Sequence, residues 1–255
     1  MDIVLFDLGR TLMYFDGPLP EVIEQADHAM VQQLKQAGLE FDEARFLTAF
    51  HLHEEDDNDG RGKEFREFPT RITMKQLLAK YGFTNIADSL IDRAADALFK
   101  ITQEYWHPEE DALPVIRQLA QEGYHLGIVS NASDDRDVQD LVDKLGARPY
   151  MEIILTSAAA GIRKPNPKIF HKALERWGAQ PSQAVMIGDR LDADIAGAHN
   201  TGMPGIWITR RLPPEEKADH HEAACPEATV TSLLEIPEIL HRMGNAPSKN
   251  QHFTR

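Results

Sequence analysis

Five short apolar runs punctuate the chain: Ile3–Phe6 (IVLF), His125–Val129 (HLGIV), Glu152–Thr156 (EIILT), Ala184–Ile187 (AVMI) and Gly205–Ile208 (GIWI). Continuous runs of this length suit strands buried on both faces, as in a parallel sheet. From the second run onward, the intervening segments carry helical periodicity. Leu113–Gln121 puts Val115, Ile116 and Leu119 on one face, and Val138–Leu145 and Pro167–Trp177 repeat the theme. Strands alternating with helices imply βαβ units with right-handed crossovers. The pattern predicts an α/β core around a parallel sheet.

The first run breaks that rhythm. From about Pro18 to Pro108 no strand pattern stands out, and four helices are predicted instead. Glu21–Ala37 carries Ile23, Ala26, Met30 and Leu34 near helical spacing, and Gly38 stops it. Phe41–Leu52 is the second and Thr70–Lys80 the third, closed by Gly82. Ala87–Tyr105 is the fourth, with Leu90, Ile91, Ala94, Ala95, Leu98 and Ile101 on one stripe. The expected organisation is a core over residues 1–17 and 109–242, interrupted by an all-helical insertion at 18–108. The polar stretch HEEDDNDGRGKE (53–64) reads as an exposed loop, and residues 243–255 as a disordered tail.

Composition narrows the function. The 255 residues hold 27 Lys and Arg against 41 Asp and Glu, a formal charge of −14. Nucleic-acid binding wants a basic face, so no nucleic-acid partner is expected. No apolar run approaches the roughly 20 residues that span a bilayer, so no membrane partner is expected either. The opening MDIVLFDLG lacks the basic stretch of a secretory leader. Cys225 is the sole cysteine, which leaves no intramolecular disulfide and makes the cytoplasm the expected location.

Candidate chemistry gathers at the ends of the predicted strands, where open parallel sheets bind ligands. Asp7 ends the first strand, with Gly9 and Thr11 in the loop behind it. Ser130 and Asn131 end the second core strand; a hydroxyl beside an amide can donate to an anionic oxygen. Lys164 lies in GIRKPNPKIF, where Pro165 and Pro167 stiffen the backbone. Asp189 follows a strand and a glycine, and Asp194 comes five residues later. Two carboxylates at one strand end suit a hard cation such as Mg²⁺. Asp192 is a third acid, read as a helix-start residue or one standing behind the cation ligands. Taken singly, each feature also fits ordinary turn, cap or solvated-loop chemistry.

In order along the chain, these residues resemble the haloacid dehalogenase-like hydrolase superfamily. The resemblance runs from Asp2 to about Leu240 and is most specific in GIRKPNPKIF and VMIGDRLDADIAGAHNTGM. It implies a Rossmann-like three-layer core beneath an inserted helical cap of the C1 type found in subfamily I. It implies that Asp7 is a nucleophile forming an aspartyl-phosphate and that Lys164 steadies the nucleophile and the phosphoryl charge. Ser130, with Asn131 beside it, would bind substrate phosphate. Asp7, the Gly9 backbone carbonyl, Asp189 and Asp194 would hold Mg²⁺. The implied activity is a phosphatase acting on a small phosphorylated metabolite.

The first motif departs from the family's DxDGT. It reads Asp7-Leu8-Gly9-Arg10-Thr11, so Gly9 stands where the general acid/base usually is. A missing general acid typically costs about 10²–10⁴-fold, so a low-turnover phosphate-binding or regulatory protein is the alternative. Asp16 is read as a hinge residue ahead of a surrogate acid, and Arg10 as a surface pair ahead of a substrate contact. Haloacid dehalogenation needs no Mg²⁺ site, and phosphonatase chemistry needs a cap lysine, for which Lys35, Lys63, Lys75, Lys80 and Lys100 are available. Arg61, Lys63, Arg66 and Arg71 read as a solvated charged face ahead of an anion-binding one. His51 and His53 are two apart and do not face each other on a helix; His220 and His221 look equally plain. Trp106, Trp177 and Trp207 read as packing residues.

Overall fold

The computed structural model describes residues 1–58, 65–213 and 225–244. β1 (Ile3–Phe6) and β2 (Met13–Phe15) lead into four helices: α1 (Leu19–Gln36), α2 (Glu43–Asn58), α3 (Thr70–Lys80) and α4 (Asp88–Glu104). β3 (Trp106–Pro108), α5 (Ala112–Gln121), β4 (His125–Ser130) and α6 (Asp135–Leu145) follow. Then come β5 (Ile153–Thr156), α7 (Ser157–Ala160), α8 (Pro167–Leu174) and β6 (Ala184–Gly188). The described chain closes with α9 (Ala196–Thr201), β7 (Gly205–Ile208), β8 (Ala228–Val230) and α10 (Ile236–Gly244).

Six strands form one parallel sheet in the order β5-β4-β1-β6-β7-β8. β1 sits between β4 and β6, with Phe6 paired to Ile128 on one side and Ile187 on the other. From β1 the strand order runs outward in both directions, and that reversal opens a crevice at the carboxyl ends of the strands. The IVLF run is buried throughout because both faces are covered. Val4 and Phe6 pack with Val115, Ile116, Val142 and Ile239 of α5, α6 and α10. Ile3 and Leu5 pack with Ile169, Phe170 and Ala173 of α8. Helices on both faces make the expected three-layer α/β core. Among the described residues, no helix is long and apolar enough to cross a membrane.

The four helices α1–α4 bury an apolar core of their own, built from Met30, Leu34, Phe46, Phe50, Met74, Leu78, Ile91, Ala94 and Leu98. Two expectations change here. Trp106–Pro108, in the stretch read as strandless, is a strand paired antiparallel to Met13–Phe15. Three half-buried residues are too few to show a period, and the ribbon is held by cross-strand contacts such as the edge-on Phe15–Trp106 rings, 5.7 Å apart. Both passages between sheet and helical insertion run through this ribbon. Asp16 is exposed there, and its amide donates to the Tyr105 carbonyl at 2.8 Å. The second change is α2, which continues to Asn58 where a loop was expected from His53. Residues 59–64, with Arg61 and Lys63, lie outside the described residues, as do His220, His221 and the tail from 245. β8 also went unpredicted; it is a three-residue edge strand.

Candidate active site

Asp7 follows β1, and its amide donates to the Ile187 carbonyl of β6 at 2.9 Å. The chain then turns sharply, with the amides of Leu12 and Met13 both bonded to the Leu8 carbonyl. Within this turn Arg10 adopts left-handed backbone, φ 60°, a region that costs a residue with a Cβ about 1–2 kcal/mol. Its side chain turns back toward the crevice, with Nε 3.2 Å from Asp189 Oδ2. The surface pair expected for Arg10 is therefore a pair with a buried acid.

Lys164 is the central cation and is only 3% exposed. Its Nζ lies 2.7 Å from Asp7 Oδ1 and 2.7 Å from Asp194 Oδ1, and donates to the Val129 carbonyl at 2.6 Å. It hydrogen-bonds Asp7 and Val129 and meets Asp194 as an ion pair. Asn131 holds the same lysine from behind. Its Oδ1 accepts from the Lys164 amide at 2.8 Å, and its Nδ2 donates to the Lys164 carbonyl at 3.0 Å. The side chain expected to touch phosphate thus clamps the loop that carries the lysine. Ser130 is buried at the end of β4, in register with Thr156.

Asp194 sits in a π-helical turn, Leu191–Ile195, directly after β6. Such turns widen the backbone and recur at functional sites. Its Oδ2 accepts from the Arg190 amide at 2.9 Å. Asp192 points away, in an exposed pair with Arg190 at 2.6 Å. Asp189 is buried, and its carbonyl accepts from the Trp207 indole N–H at 2.8 Å. Trp207, read as packing, therefore also fixes the backbone of Asp189.

Oxygens of Asp7, Asp189 and Asp194 lie within 4.8 Å of one another. One buried lysine and the half-exposed Arg10 face these three acids. Burial pushes the Asp7 carboxyl up to about 6, with Lys164 pulling it down and Asp194 pushing it further up. Burial, reinforced by Asp7 and Asp194, pushes Asp189 up to about 8 despite Arg10 and Lys164. Burial would lower Lys164, but Asp194 and Asp7 outweigh it and hold the ammonium above its ordinary value. The cluster is short of positive charge, and the buried Asp189 Oδ2 and Asp194 Oδ1 receive no hydrogen bond, the latter meeting Lys164 as an ion pair. A set of buried carboxylate oxygens with two left over fits a hard divalent cation such as Mg²⁺.

Gly188 shows how tightly the cluster is built. A Cβ there would lie 2.2 Å from Asp194 Oδ2. Gly188→Ala must push the Asp194 carboxylate aside, so it should weaken Mg²⁺ binding about tenfold and destabilise the fold by about 1–3 kcal/mol. Titration calorimetry with Mg²⁺ and urea melts check both; unchanged affinity would mean that Asp194 does not share the cation.

A family model for haloacid dehalogenase-like hydrolases matches residues 1–202. A glyceraldehyde 3-phosphate phosphatase of Methanopyrus kandleri is 32% identical over 94% of this chain and 97% of that protein. The chain belongs to the haloacid dehalogenase-like hydrolases. A ribulose-1,5-bisphosphate 5-phosphatase of Halopiger xanaduensis is 28% identical over 89% of this chain and 90% of that protein. Among solved structures, a 2-haloacid dehalogenase from Pseudomonas syringae pv. Tomato DC3000 is 27% identical with a TM-score of 0.64, covering 95% of this chain and 99% of that one.

At position 9, where the motif departs from the haloacid dehalogenase-like pattern, a Cβ built on Gly9 would sit 3.2 Å from Trp106 Cη2, so the indole of β3 would have to give by a few tenths of an ångström to admit a side chain. Arg71, expected on a solvated face, is instead 19% exposed and bonded to Asp134 at 2.7 Å, with Asp92 and Asp96 alongside. Trp106, Trp207, Arg10 and Arg71 all act through partners far away in sequence, which no local motif announces.

Proposed function

We propose that this chain is a Mg²⁺-dependent phosphatase that hydrolyses a small phosphorylated metabolite through an aspartyl-phosphate on Asp7. The observation that carries the reading is three clustered buried acids, Asp7, Asp189 and Asp194, two of which, Asp7 and Asp194, share one buried lysine. A dehalogenase with the same nucleophile needs no Mg²⁺ site, so the two further acids favour phosphoryl transfer. The names of the two archaeal relatives support the same reading.

Asp7, Asp189 and Asp194, with the Gly9 carbonyl, would hold Mg²⁺, which neutralises charge on phosphoryl oxygens when bound. Lys164 engages Asp7 Oδ1, and the attacking oxygen is Oδ2, to which Thr11 Oγ1 donates at 3.5 Å. Ser130 donates its hydroxyl to a phosphoryl oxygen, while Asn131 keeps Lys164 in place. Attack forms the bond from Asp7 oxygen to phosphorus and breaks the bond to the leaving oxygen. That oxygen takes its proton from water, because Gly9 carries no acid. A water then attacks phosphorus, freeing inorganic phosphate and the Asp7 carboxylate. Phosphorylated metabolites are charged and stay inside cells, which makes the cytoplasm the working location.

Gly9 beneath Trp106 favours a second reading: a protein that binds phosphate and turns over slowly. Phosphonatase chemistry is disfavoured, because Lys35, Lys75, Lys80 and Lys100 are all exposed; Lys63 lies outside the described residues. Purified protein should release phosphate from an aryl phosphate with Mg²⁺ and stop with EDTA. Aryl leaving groups need little protonation, so they should outpace sugar phosphates by about 10²-fold. Tight Mg²⁺-dependent binding of vanadate without turnover would select the second reading, and halide release from a 2-haloacid would select dehalogenation.

A further inference from the structure

The segment Phe65–Arg71 leaves the helical insertion and crosses the active-site loops. The Arg163 amide donates to the Phe65 carbonyl at 2.8 Å, and the Glu67 amide to the Gly161 carbonyl at 3.2 Å. Arg66 and Ile162 form an antiparallel bridge between them. This lays the segment along the three residues that precede Lys164. Further on, the Thr70 amide donates to the Ser133 carbonyl at 2.8 Å, and Arg71 bonds Asp134, whose Oδ1 caps α6 by accepting from the Asp137 amide. The same seven residues therefore also hold the loop that follows Ser130 and Asn131.

Glu67 is the side chain that joins the two loops. It comes from the insertion, yet it is 6% exposed and lies within the core. Its Oε2 accepts from Ser157 Oγ at 2.5 Å and lies 3.5 Å from Arg163 Nε. Ser157, fully buried at the start of α7, accepts from the Ala132 amide at 2.9 Å. One carboxylate thus reaches Ala132 through Ser157 on one side and Arg163 on the other. Ala132 adjoins Asn131, which clamps Lys164, and Arg163 adjoins Lys164 itself. A buried carboxylate with two such partners is held firmly and transmits that rigidity to both.

We propose that Glu67 is a positioning residue, and that Phe65–Arg71 is a latch that brings the Ser130–Asn131 loop and the Lys164 loop into register. Glu67 touches no reacting atom. It acts through Ser157 and Arg163, and it makes the phosphate-gripping geometry depend on the docked helical insertion. Asp7, Asp189 and the π turn of Asp194 stand on β1 and β6; Glu67 reaches them only through Lys164, so the cation site should shift less than the Lys164 loop.

The kinetic test rests on the phosphatase reading, and the exchange test does not. Glu67→Ala should lower kcat on an aryl phosphate about tenfold or more, since misplacement by about 1 Å can cost 10²-fold. The Mg²⁺ concentration for half-activation should stay within about twofold. Glu67→Gln keeps an acceptor for Ser157 and should stay within about threefold of the natural protein. Ser157→Ala cuts one of the two arms and should lose part of what Glu67→Ala loses, and the double variant should be no worse than Glu67→Ala, because it cuts contacts already lost. Hydrogen exchange should quicken in 131–134 and 161–164 and stay unchanged in β1 and β6. Additive losses, a Gln variant as poor as Ala, or exchange that rises everywhere would overturn the latch. Should Glu67→Ala fail to fold, Ser157→Ala carries the same exchange test. A natural protein with no turnover would overturn the phosphatase reading alone, and the exchange pattern would still decide the latch.

Discussion

Asp7→Asn should abolish Mg²⁺-dependent phosphate release, by at least about 10³-fold, while making the metal-free protein more stable at pH 8. The first effect follows from losing the attacking oxygen: an amide cannot form the acyl phosphate. The second follows from the crowding of acids. Burial lifts Asp7 to about 6 in the folded protein, above its ordinary 3.8. A folded value above the unfolded one means that this group's contribution is most favourable below about pH 4. It is lost as pH rises through about 6. Asn carries no such charge and its Oδ1 can still accept from Lys164, so the variant should gain about 1–3 kcal/mol at pH 8 and nothing near pH 4. Saturating Mg²⁺ should reverse the ranking if Asp7 is the proposed ligand, because an amide binds a hard cation less well than a carboxylate. Thermal melts at pH 4 and 8, with and without Mg²⁺, check the stability effect. Phosphate release checks the chemistry; equal rates for both proteins would sink the nucleophile role. A drop in activity with a matching drop in metal-free stability would mean that Asp7 is held mainly as a structural partner of Lys164.

The central strands were legible because IVLF and its counterparts are buried on both faces, which leaves an unbroken apolar run. β2, β3 and β8 were not, since each has three residues and at least one half-buried position. The helices of the insertion were legible from their stripes, but α2 outruns its apolar pattern and continues through charged residues to Asn58. Asp7, Ser130, Lys164, Asp189 and Asp194 could be picked out because each closes a strand or sits in a compact local motif, and the structure gathers them at one end of the sheet. What could not be read is set by packing between distant segments. Glu67 meets Ser157 across 90 residues, and Trp106 covers Gly9 only because the β2–β3 ribbon returns it there. Arg10 reads as a surface residue until the left-handed turn aims it at Asp189. Asn131 was legible as a polar group near phosphate, yet its amide is committed to the backbone of Lys164.

Lys164→Met separates the two tasks placed on the lysine. The substitution roughly keeps the volume of the stem and removes the ammonium that sits 2.7 Å from both Asp7 and Asp194. The carboxylates and the Val129 carbonyl lose their donor in a buried site. Removing one partner of a buried ion pair typically costs about 3–5 kcal/mol, and two acids depend on this one cation. The loss should be largest at pH 8 and shrink toward pH 5, because Asp7, lifted to about 6 even beside the lysine, escapes by taking up a proton. Mg²⁺ should restore part of the stability by supplying positive charge to the same oxygens. It should not restore turnover, which should stay about 10²–10³-fold down, because the ammonium beside Asp7, proposed to face the phosphoryl charge, is gone. Urea melts at both pH values, with and without Mg²⁺, and single-turnover phosphate release from the Mg²⁺-saturated variant separate the two tasks. Full turnover once Mg²⁺ has restored stability would show that Lys164 serves only as a counterion, and that the acids and the cation carry the chemistry by themselves.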